Sequence, residues 1–324
     1  MSGDMSSPFL VSNSIASVSG DLAPQDAAWF RKIMSDCILC PRACHADRLD
    51  GGVGYCGQTA DIMAARASLH YWEEPCISGT SGSGTVFFSG CNLRCVFCQN
   101  HNIALGKAGR VITPEHLVKI FLQLQEQGAN NINLVTPTHF LPQIVIALQQ
   151  AKNQGLSIPI VYNTGSYESP EALRHLEGLV DIYLPDLKYF SPELSTAYSH
   201  APDYFETACA AISEMYRQVG DPVINEDTGL MQHGMIVRHL LLPGQTKDSK
   251  KILRYLHETY GDHIYISIMN QYTPLPQVAD IEALNRTVTP EEYDRVLRFA
   301  ERGFRQEGTS ASESFIPEFD ERGL

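Results

Sequence analysis

Positive charge is scarce in this chain. Its 324 residues carry 24 Lys and Arg against 37 Asp and Glu, a formal net charge of −13. That balance argues against non-specific binding to nucleic acid or anionic membrane, which needs clustered cations. No apolar run approaches the roughly 20 residues of a membrane helix. The opening stretch lacks the marks of a leader: it is rich in Ser, Gly and Pro, places Asp4 where a signal peptide wants Lys or Arg, and has no Lys or Arg before Arg31. These absences predict a protein of a reducing compartment, the cytoplasm, with neither membrane nor nucleic acid as a partner. Cysteine is nearly missing after residue 98, where only Cys209 occurs, whereas eight cysteines fall between 37 and 98. A disulfide network would not leave most of the chain bare, and in a reducing compartment clustered cysteines more often hold metals.

The densest group is Ser89-Gly90-Cys91-Asn92-Leu93-Arg94-Cys95-Val96-Phe97-Cys98, directly after the apolar run Thr85-Val86-Phe87-Phe88. A [4Fe–4S] cluster is usually held by four thiolates. A loop that offers three leaves one iron for a substrate or cofactor, so Cys91, Cys95 and Cys98 point to chemistry rather than electron storage. A zinc site closed by His101, or three free thiols, is the competing reading. The second group is Cys37-x2-Cys40-x3-Cys44-x11-Cys56, with Gly51, Gly52, Gly54 and Gly57 free to form tight metal knuckles. Four thiolates suit a structural zinc or a [4Fe–4S] cluster equally, and four reduced cysteines packed in a small module is the alternative. Cys76 is a singleton, read as a small buried hydrophobe with a thiyl or ligand role as the alternative. Cys209 reads as core.

From residue 85 onward short apolar runs alternate with longer amphipathic ones. The runs are 85–89, 131–135, 158–162, 180–184, 234–241 and 263–268, with helices expected over 114–127, 140–154, 170–177, 192–218, 247–258 and 289–303. Thr113-Pro114-Glu115, Ser169-Pro170-Glu171, Ser191-Pro192-Glu193 and Thr289-Pro290-Glu291 each combine an N-cap, a first-turn proline and an early acid. Six β/α alternations imply an α/β fold with a parallel sheet and the site at the carboxyl ends of its strands, the end where the cysteine loop falls. The expected organisation is a flexible arm over 1–24, a small Cys-rich N-terminal module over 25–84, a barrel over 85–305 and a C-terminal tail over 306–324. Residues 270–288 read as a long loop placed to close over the mouth.

The cysteine loop, together with Glu73-Glu74-Pro75, Gly82-Ser83-Gly84-Thr85, Thr136-Pro137-Thr138-His139, Tyr162-Asn163-Thr164-Gly165 and Asp186-Leu187-Lys188, resembles the radical S-adenosylmethionine (SAM) superfamily. Within it, the chain is similar to pyruvate formate-lyase-activating-enzyme-like proteins. The resemblance covers roughly residues 35 to 305. It implies a partial (β/α)6 barrel, a [4Fe–4S] cluster, SAM cleaved to a 5′-deoxyadenosyl radical, a low-potential donor such as flavodoxin or ferredoxin, and a substrate that is a glycyl-radical enzyme or else another peptide or a small metabolite. A non-catalytic iron–sulfur or zinc scaffold or redox sensor is the competing reading. It implies SAM contacts from Thr136 and Thr138 at the end of the second barrel strand, Asn163 and Thr164 at the third, Asp186 and Lys188 at the fourth, and Arg238 on the fifth. In glycyl-radical activating enzymes an Asp-Thr pair and the Asp of the D-L-K motif help to bind a monovalent cation, but here the pair is Asn163-Thr164. The ferredoxin-like cysteine insertion that some activases carry after the third cysteine is absent as well. His139 and Cys76 remain candidates for a substrate-side role, and Glu73 and Glu74 read more simply as paired surface acids.

Overall fold

Each Ser/Thr-Pro-Glu step starts a helix. The Thr113 hydroxyl accepts from the His116 amide, Ser169 from Ala172, Ser191 from Leu194 and Thr289 from Glu292, each replacing a hydrogen bond the first turn lacks. At Thr289 the Glu292 side chain also reaches back to the N-cap amide, completing a capping box. The helices begin at Pro114, Pro170, Pro192 and Pro290. The one long helix expected over 192–218 is instead two, Pro192–Ser199 and Tyr204–Val219. His200 adopts a left-handed φ of 52°, and Pro202 follows it, so the chain turns there.

The computed structural model describes residues 24–300, 304–305 and 319–324. The expected arm, Pro24 apart, and residues 306–318 of the expected tail lie outside that range. Six strands form the parallel heart of one sheet: β2 (Ser83–Phe88), β4 (Ile132–Val135), β5 (Ile160–Thr164), β6 (Ile182–Pro185), β8 (Met231–Leu240) and β9 (Tyr265–Met269). Alternating apolar runs and helices dictate this arrangement, because a parallel strand needs a crossover and both of its faces covered. β5 and β6 are buried at every position.

Four further strands lie outside the six expected runs. β1 (Ile62–His70) pairs antiparallel with β2, and β3 (Arg110–Ile112) with β1. β7 (Val223–Ile224) pairs antiparallel with β8, and β10 (Phe304–Arg305) runs parallel to β9. The order is β10-β9-β8-β6-β5-β4-β2-β1-β3, so among the described residues the sheet stays open at both ends, a partial barrel. The chain end docks on it: the Ala67 amide donates to the Arg322 carbonyl, the Glu321 amide to the Ala65 carbonyl, and Phe319 packs edge-on to Phe87. No helix among the described residues is long and apolar enough to cross a membrane.

Candidate active site

The loop after β2 carries Cys91, Cys95 and Cys98, and all three line one cavity of about 240 Å³ at the carboxyl end of the parallel strands. The loop is held rigidly. Gly90 sits at φ 92°, and a Cβ there would meet the Cys56 carbonyl at 2.9 Å, so only glycine fits. The Asn92 side-chain Nδ2 donates to the Tyr167 carbonyl at 2.5 Å, and the Val96 backbone amide to that of Tyr198 at 2.9 Å. Phe97 stands edge-on among Tyr189, Tyr198 and Tyr272. The Gln277 side chain, from the loop after β9, donates to the Cys98 carbonyl at 3.2 Å, and Gln271 lines the cavity, so that loop reaches the mouth.

Thr136, Asn163, Thr164, Asp186, Lys188 and Arg238 line the same cavity. Arg238 is their hub. Its Nε donates to Asp186 Oδ1 at 2.8 Å, its Nη2 to Asn163 Oδ1 at 2.7 Å and its Nη1 to Glu73 Oε2 at 3.2 Å. Lys188 Nζ donates to Asp186 Oδ2 at 2.6 Å. Burial alone would raise the Asp186 carboxyl, but the Arg238 and Lys188 charges outweigh it and hold it below the usual carboxylate range. Burial works against Lys188 too, and Asp186 reverses the effect, keeping the ammonium charged. Glu73 and Glu74 are wall residues of the cavity rather than surface acids. Glu74 is 7% exposed, is raised chiefly by burial, and accepts from Ser267 at 2.7 Å.

Three other candidates lie outside the lining. The Thr138 hydroxyl is buried and donates to Glu168 Oε1 at 2.5 Å. His139 sits behind the strand end with Nε2 at 2.6 Å from the Ser89 carbonyl. Burial, then the charge of Arg48, takes it down to about 3, so it is neutral. Cys76 packs in a core cluster with Ile77, Val161 and Leu184, and burial pushes its thiol up to about 12.

Two residues with no motif to mark them organise the strand ends. Glu168 is fully buried and accepts from both Thr138 and Thr164 at 2.5 Å, which ties the ends of β4 and β5 together. Burial raises it to about 7, against those hydrogen bonds. The Tyr204 hydroxyl lies 2.9 Å from the Gly165 carbonyl and 2.8 Å from that of Asp186, and accepts from the Lys188 amide at 3.0 Å. Neither position is readable from local spacing. A buried acid four residues after Thr164 is the one weak cue for Glu168.

The donor set suits a cluster. Burial pushes Cys98 up to about 12, and the neighbouring Cys95 and Cys91 oppose its ionisation further. Burial raises Cys95 as well, so these neighbouring thiols ionise together only around shared positive charge. Among the described residues no three His, Cys, Asp or Glu side chains are arranged to hold a single ion. Cubane ligation asks for something else, since each thiolate takes a different iron corner. The radical SAM superfamily model matches residues 85–256, from β2 through most of the helix before β9. The chain belongs to the radical SAM superfamily. The members of that superfamily are enzymes that use a [4Fe–4S] cluster with SAM.

An uncharacterized protein of Methanocaldococcus jannaschii is 27% identical over 282 residues, covering 84% of this radical SAM chain and 76% of its own length. The pyruvate formate-lyase-activating enzyme of Clostridium pasteurianum is 30% identical over 121 residues, 35% of this chain, and the match spans about half, 48%, of that enzyme. Among solved structures, a radical SAM methyltransferase from Sphaerobacter thermophilus matches over 92% of this chain and 94% of its own, at 14% identity and a TM-score of 0.47. Streptococcus suis SuiB bound to precursor peptide SuiA matches over 67% of this chain and 46% of its own, at 13% identity and a TM-score of 0.44.

Proposed function

We propose that this chain cleaves SAM reductively and abstracts hydrogen from a protein or peptide, in the manner of an activating enzyme. The observation that carries the proposal is the convergence of Cys91, Cys95 and Cys98 with the Asp186–Arg238–Lys188 network on one cavity. With cluster and SAM bound, the chemistry supplied is scission of the sulfonium to methionine and a 5′-deoxyadenosyl radical that takes a substrate hydrogen. The chain's residues supply ligation, orientation and shielding. Cys91, Cys95 and Cys98 would hold the cluster. Asp186, held ionised, and Thr136, Asn163 and Thr164 offer oxygens to an ammonium, while Lys188 and Arg238 offer charge to a carboxylate. Thr138 acts one step back, through Glu168. Phe87, Leu93, Phe97 and Met269 line the remaining wall and exclude water, which a reactive intermediate requires.

A peptide substrate is supported by the local similarity to an activating enzyme and by the rim. Tyr71 is 51% exposed, and Trp72, 63% exposed, lines the cavity, a surface on which an extended segment can lie. The low-potential donor is of the flavodoxin or ferredoxin class, and a reducing, cytoplasmic setting belongs to the same reading. His139 is assigned no contact with substrate, because it is buried behind the Ser89 carbonyl. The test is anaerobic incubation of reconstituted protein with SAM and dithionite. Methionine and 5′-deoxyadenosine are expected in equal amounts, slowly without substrate. With a glycine-deuterated peptide of a glycyl-radical enzyme, deuterium in the deoxyadenosine is expected. SAM left intact refutes the chemistry, and unlabelled deoxyadenosine refutes the substrate.

A further inference from the structure

We infer that Cys37, Cys40, Cys44 and Cys56 form an anionic four-thiolate metal centre whose internal counter-ion is Arg48. The motif spacing suggests the ligands, and the second, independent observation is Arg48 itself. It is fully buried. Its Nη1 stands 4.0 Å from Cys37 Sγ, its Nη2 donates to the Thr59 carbonyl at 2.6 Å, and its Nε has no hydrogen-bond partner. The Phe140 ring centroid lies 5.9 Å from its Cζ, and among the described residues it forms no salt bridge. A buried guanidinium without an anion is costly. A divalent ion on four thiolates, or a [4Fe–4S]2+ cluster on four thiolates, carries a net charge of −2. Either one supplies the missing anion. On binding, each thiol releases its proton to solvent and each sulfur donates a pair to the metal, so no oxidant or reductant is consumed.

The backbone already gathers the four residues. The Cys37 amide donates to the Ala46 carbonyl and the His45 amide returns to that of Cys37. Ala43 and His45, on either side of Cys44, both take left-handed φ, 38° and 53°, the strain of a tight knuckle. A Cβ on Gly54 would fall 2.3 Å from Cys44 Sγ, so Cys44 is packed on the strand of chain that leads to Cys56. Among the described residues the sulfurs as they stand do not surround one point, so binding must bring them together.

The centre also has a reason to be where it is. Arg42 Nε donates to the Asn92 carbonyl at 2.8 Å, and the Cys56 carbonyl is the atom that Gly90 must clear. The module therefore braces the Cys91–Cys98 loop. Its metal sets the shape of that loop, and a redox-active occupant would stand beside the electron's destination.

The inference does not depend on SAM chemistry, and its test reads metal. Full-length protein, purified anaerobically, is analysed for zinc, iron and acid-labile sulfide, with X-ray absorption at each metal edge. One zinc with four sulfur neighbours beside about four irons, or about eight irons without zinc, is expected, the two results separating the two occupants. About four irons with no zinc overturns the proposal. Cys37→Ser/Cys40→Ser should lose the second metal while the iron held by Cys91, Cys95 and Cys98 keeps its spectrum; unchanged metal content overturns it. Arg48→Met should speed removal of that metal by a chelator roughly 10–100-fold, with Arg48→Lys intermediate. Release at the parent's rate from a folded Arg48→Met protein refutes the counter-ion.

Discussion

Arg238→Met tests whether the cavity's ion network acts as one unit. The substitution keeps the volume of the stem and removes three hydrogen bonds, to Asp186, Asn163 and Glu73. The ionic side chains are only 10–18% exposed, so solvent screens the pairs weakly. Breaking a fully buried pair costs about 3–5 kcal/mol, mainly because the surviving charge is stranded. Here Asp186 keeps Lys188 at 2.6 Å. The stranded partners are therefore Glu73 and the Asn163 amide, and a loss of about 2–3 kcal/mol is expected, below the full-burial range. The assay is denaturant unfolding of the apoprotein at several pH values, beside methionine release from the reconstituted enzyme. In the parent, the depressed Asp186 contributes stability above its unfolded value, and this is lost as pH falls through the lower folded value. Without Arg238 that folded value rises towards the unfolded one, so the window over which stability is lost narrows from its acidic end and the total loss on acidification shrinks. In a double-mutant cycle, Asp186→Asn added to Arg238→Met should cost less than it does alone. Parent-like stability with additive effects would refute the network, and parent-like SAM cleavage would refute its role in positioning.

Three further outcomes follow from the same geometry. Cys95→Ala should abolish both the cluster's visible absorption and methionine release; surviving cleavage would mean the wrong ligand. Glu168→Gln keeps an acceptor for Thr138 and Thr164 but cannot ionise. Because Glu168 is raised to about 7, its contribution to stability is complete below the unfolded carboxyl value and is lost as pH rises through 7. The variant's advantage should grow over that window to at most about 3 kcal/mol, at 1.36 kcal/mol per unit, in unfolding at pH 5 and pH 8. Tyr204→Phe leaves the Gly165 and Asp186 carbonyls without their shared hydroxyl and should cost about 1–3 kcal/mol in the same assay.

Much of this molecule is local and therefore legible in sequence. Proline at a first helical turn and a hydroxyl before it act within four residues, so the helix starts at Pro114, Pro170, Pro192 and Pro290 are read directly. The six parallel strands follow from apolar runs that must be covered on both faces. Three cysteines on one short loop raise the expectation of a cluster because their spacing is local, and the fold places all three on one cavity. The tertiary structure alone decided the rest. β1 carries no distinctive run and is a strand because β2 offers it an edge. Glu73 becomes a wall of the cavity only because β8 brings Arg238 to it across 165 positions. Glu168 and Arg48 are an ordinary acid and an ordinary base in the sequence, and they acquire meaning from burial. The cost of removing a charge from water depends on everything packed around it, and no residue's neighbours along the chain specify that environment.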